Sequence, residues 1–222
     1  MKSQTNIQQK LSSIFFQTTI ILIGLIIVLS YEDVSASKAP ANKTLLILGD
    51  SLSAGYGIAQ GSNWTDLLQK KLDAQNKQIQ LINASISGDT TANGLIRLPE
   101  ALDQFQPELV LIELGANDGL RGLSLRHIRT NLELLIQSCL AAQAEVFLME
   151  IVIPPNYGKK YTQAFKQIYH DLAKKYSLTL LPFLLENIAV RPELMQVDGL
   201  HPNEKAQAEI SEGLWQSLEA ML

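Results

Sequence analysis

The sequence predicts an α/β fold, a three-layer α/β/α sandwich built on a five-stranded parallel sheet. Three observations carry this prediction. Five short apolar runs recur along the chain, near residues 44–48, 78–84, 109–114, 146–151 and 178–181. The stretches between them repeat their apolar residues with helical spacing. Several of the runs end in polar, glycine-rich loops, as expected at one edge of one sheet. Apolar strands each separated by a helix form parallel sheets with helices on both faces.

Taken in order, Thr44-Leu45-Leu46-Ile47-Leu48 is a buried strand ending at Gly49. Asn63 is placed to cap a helix from Trp64 to about Ala74. Gln78 to Ala84 reads as the second strand, followed by a Gly/Ser/Thr loop and a helix before Pro107. Leu109 to Leu114 is the third strand, ending at Gly115, and Leu125 to Ala144 is a long amphipathic helix. Val146 to Ile151 is the fourth strand, halted by Pro154-Pro155. Tyr161 to Tyr176 is helical and Leu178 to Leu181 is a short fifth strand. Asn203 caps a last helix running from Glu204 to Met221.

Composition excludes several function classes. The chain is 46% hydrophobic and 18% charged, too apolar for disorder. Its formal net charge of −4 argues against a nucleic-acid binder, which normally shows a basic stripe. The one cysteine, Cys139, cannot form an internal disulfide. The three histidines, His127, His170 and His201, show no metal-ligand spacing, so neither a metal nor a cofactor is expected.

The N-terminus reads as an export signal. Lys2 and Lys10 give a positive start, Ile20 to Leu29 is apolar with only Gly24 as a break, and Val34-Ser35-Ala36 fits a signal-peptidase site. Residues 1–36 are expected to be removed, leaving 37–222 as a single periplasmic or secreted domain. Adding Leu11 to Gln17 brings the apolar stretch near spanning length, so an uncleaved membrane anchor is the alternative. A monomer is expected.

In parallel sheets ligands bind beyond the carboxyl ends of the strands. There the sequence places Gly49-Asp50-Ser51-Leu52 after strand one, Ser87-Gly88-Asp89 after strand two and Gly115-Ala116-Asn117-Asp118 after strand three. Asp198-Gly199-Leu200-His201-Pro202 precedes the last helix. A serine hydroxyl becomes a nucleophile when a base takes its proton, and histidine is the natural base. A carboxylate fixes the histidine tautomer. Asp198 and His201, three residues apart in a tight turn, supply orienter and base from one segment. The N–H groups of Ser51 and Gly88 and the side-chain amide of Asn117 are candidate oxyanion donors. Asp50 and Asp118 are rival acids, and Asp50 is expected to support the serine loop instead.

These segments resemble the sequence blocks of the SGNH (GDSL) hydrolases, in order and in loop context. LLILGDSLSAGYG, NASISGDTTANGLIRLP, LIELGANDGLRG, IPPNYG and MQVDGLHPN are most similar to the thioesterase, lysophospholipase and arylesterase branch of that family. The likeness covers residues 44 to 215. It implies the flavodoxin-like fold of the family, with Ser51 as nucleophile, His201 as base, Asp198 as its partner, and Ser51, Gly88 and Asn117 as oxyanion donors. It further implies a mobile substrate loop at Gly119 to Leu123, so Leu120, Arg121 and Leu123 are expected to bind substrate, with Ile153 and Pro154. The implied substrates are small acyl esters and thioesters, lysophospholipids among them. A carbohydrate acetylesterase uses the same site and stays open, as does a non-catalytic module, though that would need a lost Ser, His or Asn.

Overall fold

The computed structural model describes residues 43–222. The predicted signal peptide and its cleavage before Ser37 lie outside the described residues. The five apolar runs form one parallel sheet in the order β2-β1-β3-β4-β5. The strands are β1 Lys43–Gly49, β2 Ile79–Asn83, β3 Leu109–Glu113, β4 Glu145–Met149 and β5 Thr179–Leu181. The helices are α1 Ser51–Ala54, α2 Trp64–Ala74, α3 Thr91–Phe105, α4 Ala116–Leu120, α5 Leu125–Ala141, α6 Lys159–Tyr176 and α7 Gln207–Leu218.

The central strands are buried on both faces, which is why they read as unbroken apolar runs. Leu46, Leu48, Val110 and Ile112 point to the layer of α3, α5 and α6. Leu45, Ile47, Leu109 and Leu111 point the other way, to α2 and α7. Each fully buried Leu or Ile contributes about 1.5–3 kcal/mol. Cys139 lies in the first of these layers, fully buried, and burial pushes its thiol up to about 12.

Several boundaries differ from the expected ones for local reasons. Helix α5 stops at Ala141 because Gln143 takes a left-handed φ of 63° and Ala144 N–H closes on Cys139 C=O. Asn203 does cap, accepting from Lys205 N–H at 3.0 Å, but a 3₁₀ turn at Glu204–Ala206 comes before α7, which ends at Leu218. Asn63 precedes α2 without capping it. Its Nδ2 donates to Ser53 C=O at 2.6 Å, and Gln207 Oε1 accepts Trp64 N–H instead. Two short helices, α1 and α4, were not expected from periodicity, and both carry residues of the candidate site.

The order 2-1-3-4-5 makes the gap between β1 and β3 the point where the chain reverses direction across the sheet, the usual place for a ligand crevice. Among the described residues no helix is long and apolar enough to cross a membrane.

Candidate active site

Ser51 is the first residue of α1, directly beyond β1. Asp50 is the N-cap: its Oδ1 accepts from Leu52 N–H at 3.1 Å. This start aims the Ser51 side chain across the crevice. His201 Nε2 stands 2.8 Å from Ser51 Oγ, and His201 Nδ1 stands 2.7 Å from Asp198 Oδ2. A sequence separation of 150 residues is closed by the fold between serine and histidine. The Asp198–His201 contact is local, as their spacing predicts.

Asp198 is well held. Its Oδ1 accepts from His201 N–H at 3.0 Å and Leu200 N–H at 2.9 Å. Burial works against its ionisation, yet hydrogen bonds from the His201 backbone, the His201 ring and Leu200 N–H outweigh it and hold the carboxyl down at about 2. An ionised Asp198 favours the tautomer with the proton on Nδ1, leaving Nε2 free to accept from Ser51 O–H. The Tyr56 ring lies 4.5 Å from the imidazole, centroid to centroid.

The oxyanion candidates sit on three loops of the same edge. Among the described residues, neither Ser51 N–H nor Gly88 N–H has a protein acceptor. Gly88 has φ +86°, a conformation that favours glycine. Asn117 lies in α4, and its Nδ2 donates to Asp50 Oδ2 at 3.1 Å and to Asp89 C=O at 2.9 Å. The amide therefore reaches the crevice while bracing the serine loop.

The rival acids have other partners. Asp118 is buried and spends its carboxylate on Thr91, accepting from Oγ1–H at 2.6 Å and from N–H at 2.8 Å. Asp50 is buried beneath the loop; burial above all pushes its carboxyl up to about 6, against hydrogen bonds from Leu52 N–H and Asn117 and the pull of His201. His127 is exposed on α5. His170 is half-exposed on α6 and faces Glu150 at 3.2 Å.

A groove of about 660 Å³ opens beside Ser51. Leu120, Ile153 and Pro154 line it, joined by Val152, Leu185 and Val190. The loop after β5, which supplies Phe183 to Val190, had no distinguishing sequence signal. Arg121 and Leu123 do not line the groove. Arg121 turns its guanidinium onto Gly88 C=O at 3.1 Å, and Leu123 is exposed with its C=O bonded by Tyr161 O–H. Among the described residues no cluster of His, Cys, Asp and Glu is arranged to hold a metal.

One residue that sequence reasoning passed over stands under the serine loop. Glu113 ends β3, is fully buried, and accepts from Ser53 Oγ–H at 2.7 Å and Asp50 N–H at 3.2 Å. A lone carboxylate closing an otherwise apolar strand was the available signal.

A serine, a histidine and an aspartate stand in series at the carboxyl edge of a parallel α/β sheet, an arrangement that hydrolases use to activate a serine. The sequence profile of the GDSL-like lipase/acylhydrolase family matches residues 47–208. The chain is 48% identical over 183 residues to the arylesterase of Vibrio mimicus, covering 82% of this chain and 92% of that one. It is 46% identical over 185 residues to thioesterase 1/protease 1/lysophospholipase L1 of Escherichia coli K12, covering 83% and 88%. The crystal structure of the psychrotrophic esterase EstA from Pseudoalteromonas sp., inhibited by monoethylphosphonate, superposes with a TM-score of 0.79 at 47% identity, covering 81% of this chain and 98% of that one. The protein belongs to the GDSL-like lipase/acylhydrolase family and is an ester-bond hydrolase.

Proposed function

We propose that this protein cleaves acyl esters and thioesters through an acyl-enzyme on Ser51. The observation that carries this reading is the chain of contacts Ser51 Oγ–His201 Nε2 at 2.8 Å and His201 Nδ1–Asp198 at 2.7 Å. His201 takes the Ser51 proton as Oγ attacks the acyl carbon. The tetrahedral oxyanion is held by the N–H groups of Ser51 and Gly88 and by Asn117 Nδ2, which turns one hydrogen from Asp50 Oδ2 to the oxyanion as it forms. His201 then gives its proton to the leaving alcohol or thiol as the bond to the acyl carbon breaks. Water repeats the sequence in reverse and frees the acid. Asp198 stays ionised throughout and stabilises the imidazolium.

Apolar walls support an acyl chain as the bound group. Ile153, Leu185 and Pro154 line the groove, and Val152, Val190 and Leu200 reach from it to the exposed rim. A lysophospholipid or acyl thioester fits this shape: an apolar tail beside a reactive carbonyl. One chain supplies Ser51, His201 and Asp198, so a monomer is the acting unit. Residues 1–36 serve as a signal peptide that delivers the domain to the periplasm or the medium.

The test is a panel of p-nitrophenyl esters from acetyl to palmitoyl, together with an acyl thioester. Wild type should prefer chains longer than acetyl. Ser51→Ala and His201→Ala should each lower kcat by about 10⁴ or more, and the double variant should be little worse than either. Turnover by Ser51→Ala near wild type would end the covalent reading. A strict preference for acetyl esters would point to a sugar acetylesterase.

A further inference from the structure

Strand β3 runs Leu109-Val110-Leu111-Ile112-Glu113 with every residue buried, and Glu113 is 0% exposed. Burying a carboxyl is costly unless hydrogen bonds compensate. Glu113 has two, and both fall on the same oxygen: Oε2 accepts from Ser53 Oγ–H at 2.7 Å and from Asp50 N–H at 3.2 Å. Its Oε1 is buried with no hydrogen-bond partner among the described residues. No Lys or Arg among the described residues pairs with it.

The two donors flank the nucleophile. Asp50 immediately precedes Ser51, and Ser53 follows it by two residues. The register Gly49↔Glu113 brings the carboxyl under this turn. A Cβ built on Gly49 would meet Glu113 Oε2 at 2.6 Å and Ser53 Cβ at 2.9 Å, so the carboxyl fills the space a side chain would take. Glycine at 49 is required by the group packed against it.

We propose that Glu113 is a positioning residue for the nucleophile: by holding Asp50 N–H and Ser53 O–H on one oxygen, it fixes where α1 begins and hence where Ser51 Oγ stands relative to His201. It touches no reacting atom and acts through α1 alone. The inference rests on Ser51 being the nucleophile.

The surroundings favour the neutral form of the carboxyl. Burial first, and the neighbouring Asp50 second, push Glu113 well above the usual carboxylate range. The neutral acid is compatible with the contacts: Oε2 accepts from both donors, and Oε1, which has no partner among the described residues, is the oxygen left for a proton. A glutamine reproduces that pattern, with its amide oxygen at Oε2 and its NH₂ at Oε1. A leucine fills the volume and loses the acceptor.

The experiment compares Glu113→Gln, Glu113→Leu, Ser53→Ala and Ser51→Ala. It measures kcat and KM on p-nitrophenyl butyrate, the rate of Ser51 labelling by a phosphonate ester, and melting temperature. Misplacing a reacting group by about 1 Å costs on the order of 10²-fold. Glu113→Leu should therefore lower kcat and the labelling rate together by about 10–100-fold, with KM within about threefold. Glu113→Gln should restore both to within about threefold of wild type, and Ser53→Ala should lower both by about 3–10-fold. A folded Glu113→Leu with wild-type kcat overturns the proposal. So does a Glu113→Gln as damaged as Glu113→Leu, which would mean that charge matters rather than the acceptor. If Glu113→Leu fails to fold, Ser53→Ala decides, and an unchanged kcat there overturns the proposal. Ser51→Ala separates the two readings. If it retains turnover, the serine mechanism itself fails; if it is inactive while Glu113→Leu is normal, only the role of Glu113 fails.

Discussion

Replacing Asn117 by alanine should act on catalysis and on stability, and pH should separate the two effects. The side chain gives both its amide hydrogens to the serine loop and its neighbour, Asp50 Oδ2 at 3.1 Å and Asp89 C=O at 2.9 Å. As an oxyanion donor it must turn one of these hydrogens to the tetrahedral oxygen as the charge develops, binding the intermediate better than the substrate, so its loss should lower kcat by about 10²–10³, roughly 2.7–4 kcal/mol, with KM within a few-fold. Removing the amide also leaves a buried carboxylate oxygen of Asp50 short of a donor. A hydrogen bond to a charged group is worth about 1.5–3 kcal/mol. At roughly 2–4 °C per kcal/mol for a domain of this size, Tm should fall by about 3–12 °C. The pH sign follows from Asp50. Burial raises its folded carboxyl to about 6 from an ordinary 3.8, so the folded state holds that proton more tightly and stability falls as pH rises from about 3.8 through about 6. Asn117 is among the groups that pull this value down, so in the variant the fall continues to higher pH. The Tm gap between wild type and variant should thus be small at pH 5 and larger at pH 8. Calorimetry at both pH values and kcat on the same preparation check it. An unchanged kcat in folded Asn117→Ala would remove Asn117 from the oxyanion site and leave it as a brace. Equal Tm gaps at pH 5 and 8 would refute the link to Asp50.

Asp198→Asn keeps the shape of the turn but turns a donor toward His201 Nδ1, so kcat should fall by about 10⁴ as the wrong tautomer is favoured. Asp198 is held down at about 2, so its contribution to stability is present above about 3.8 and is lost as pH falls from there toward about 2. Thermal melts across pH 4 to 2 should show wild type losing slightly more than Asp198→Asn, a small difference because solvent screens this partly exposed group. A steeper acid loss in the variant would contradict the assignment. For export, N-terminal sequencing of protein recovered from its native host should begin at Ser37, whereas a membrane-bound product that retains Met1 would make residues 1–36 an anchor.

The sequence by itself determined the strands, most of the helices and which polar residues lie in the loops at the carboxyl edge of the sheet. Apolar runs such as Leu45 to Leu48 and Leu109 to Ile112 are legible because a strand buried on both faces must be apolar throughout. The Asp198–His201 pair is legible because its contact spans three residues. Tertiary structure decided what pairs at long range. Helices α1 and α4 are too short to show a period, yet they set the directions of Ser51 and Asn117. Asn63 looked like a cap, and its amide is spent on Ser53 C=O ten residues away. Arg121 looked like a substrate contact, and Gly88 C=O takes it. Glu113 gains its place under the serine loop from the register with Gly49, across sixty-odd residues of chain. Local pattern reports which face of an element is buried. Sheet order and register determine which residues meet across it, because they bring distant segments within hydrogen-bond reach, and here they bring a serine to a histidine and a buried glutamate beneath the serine loop.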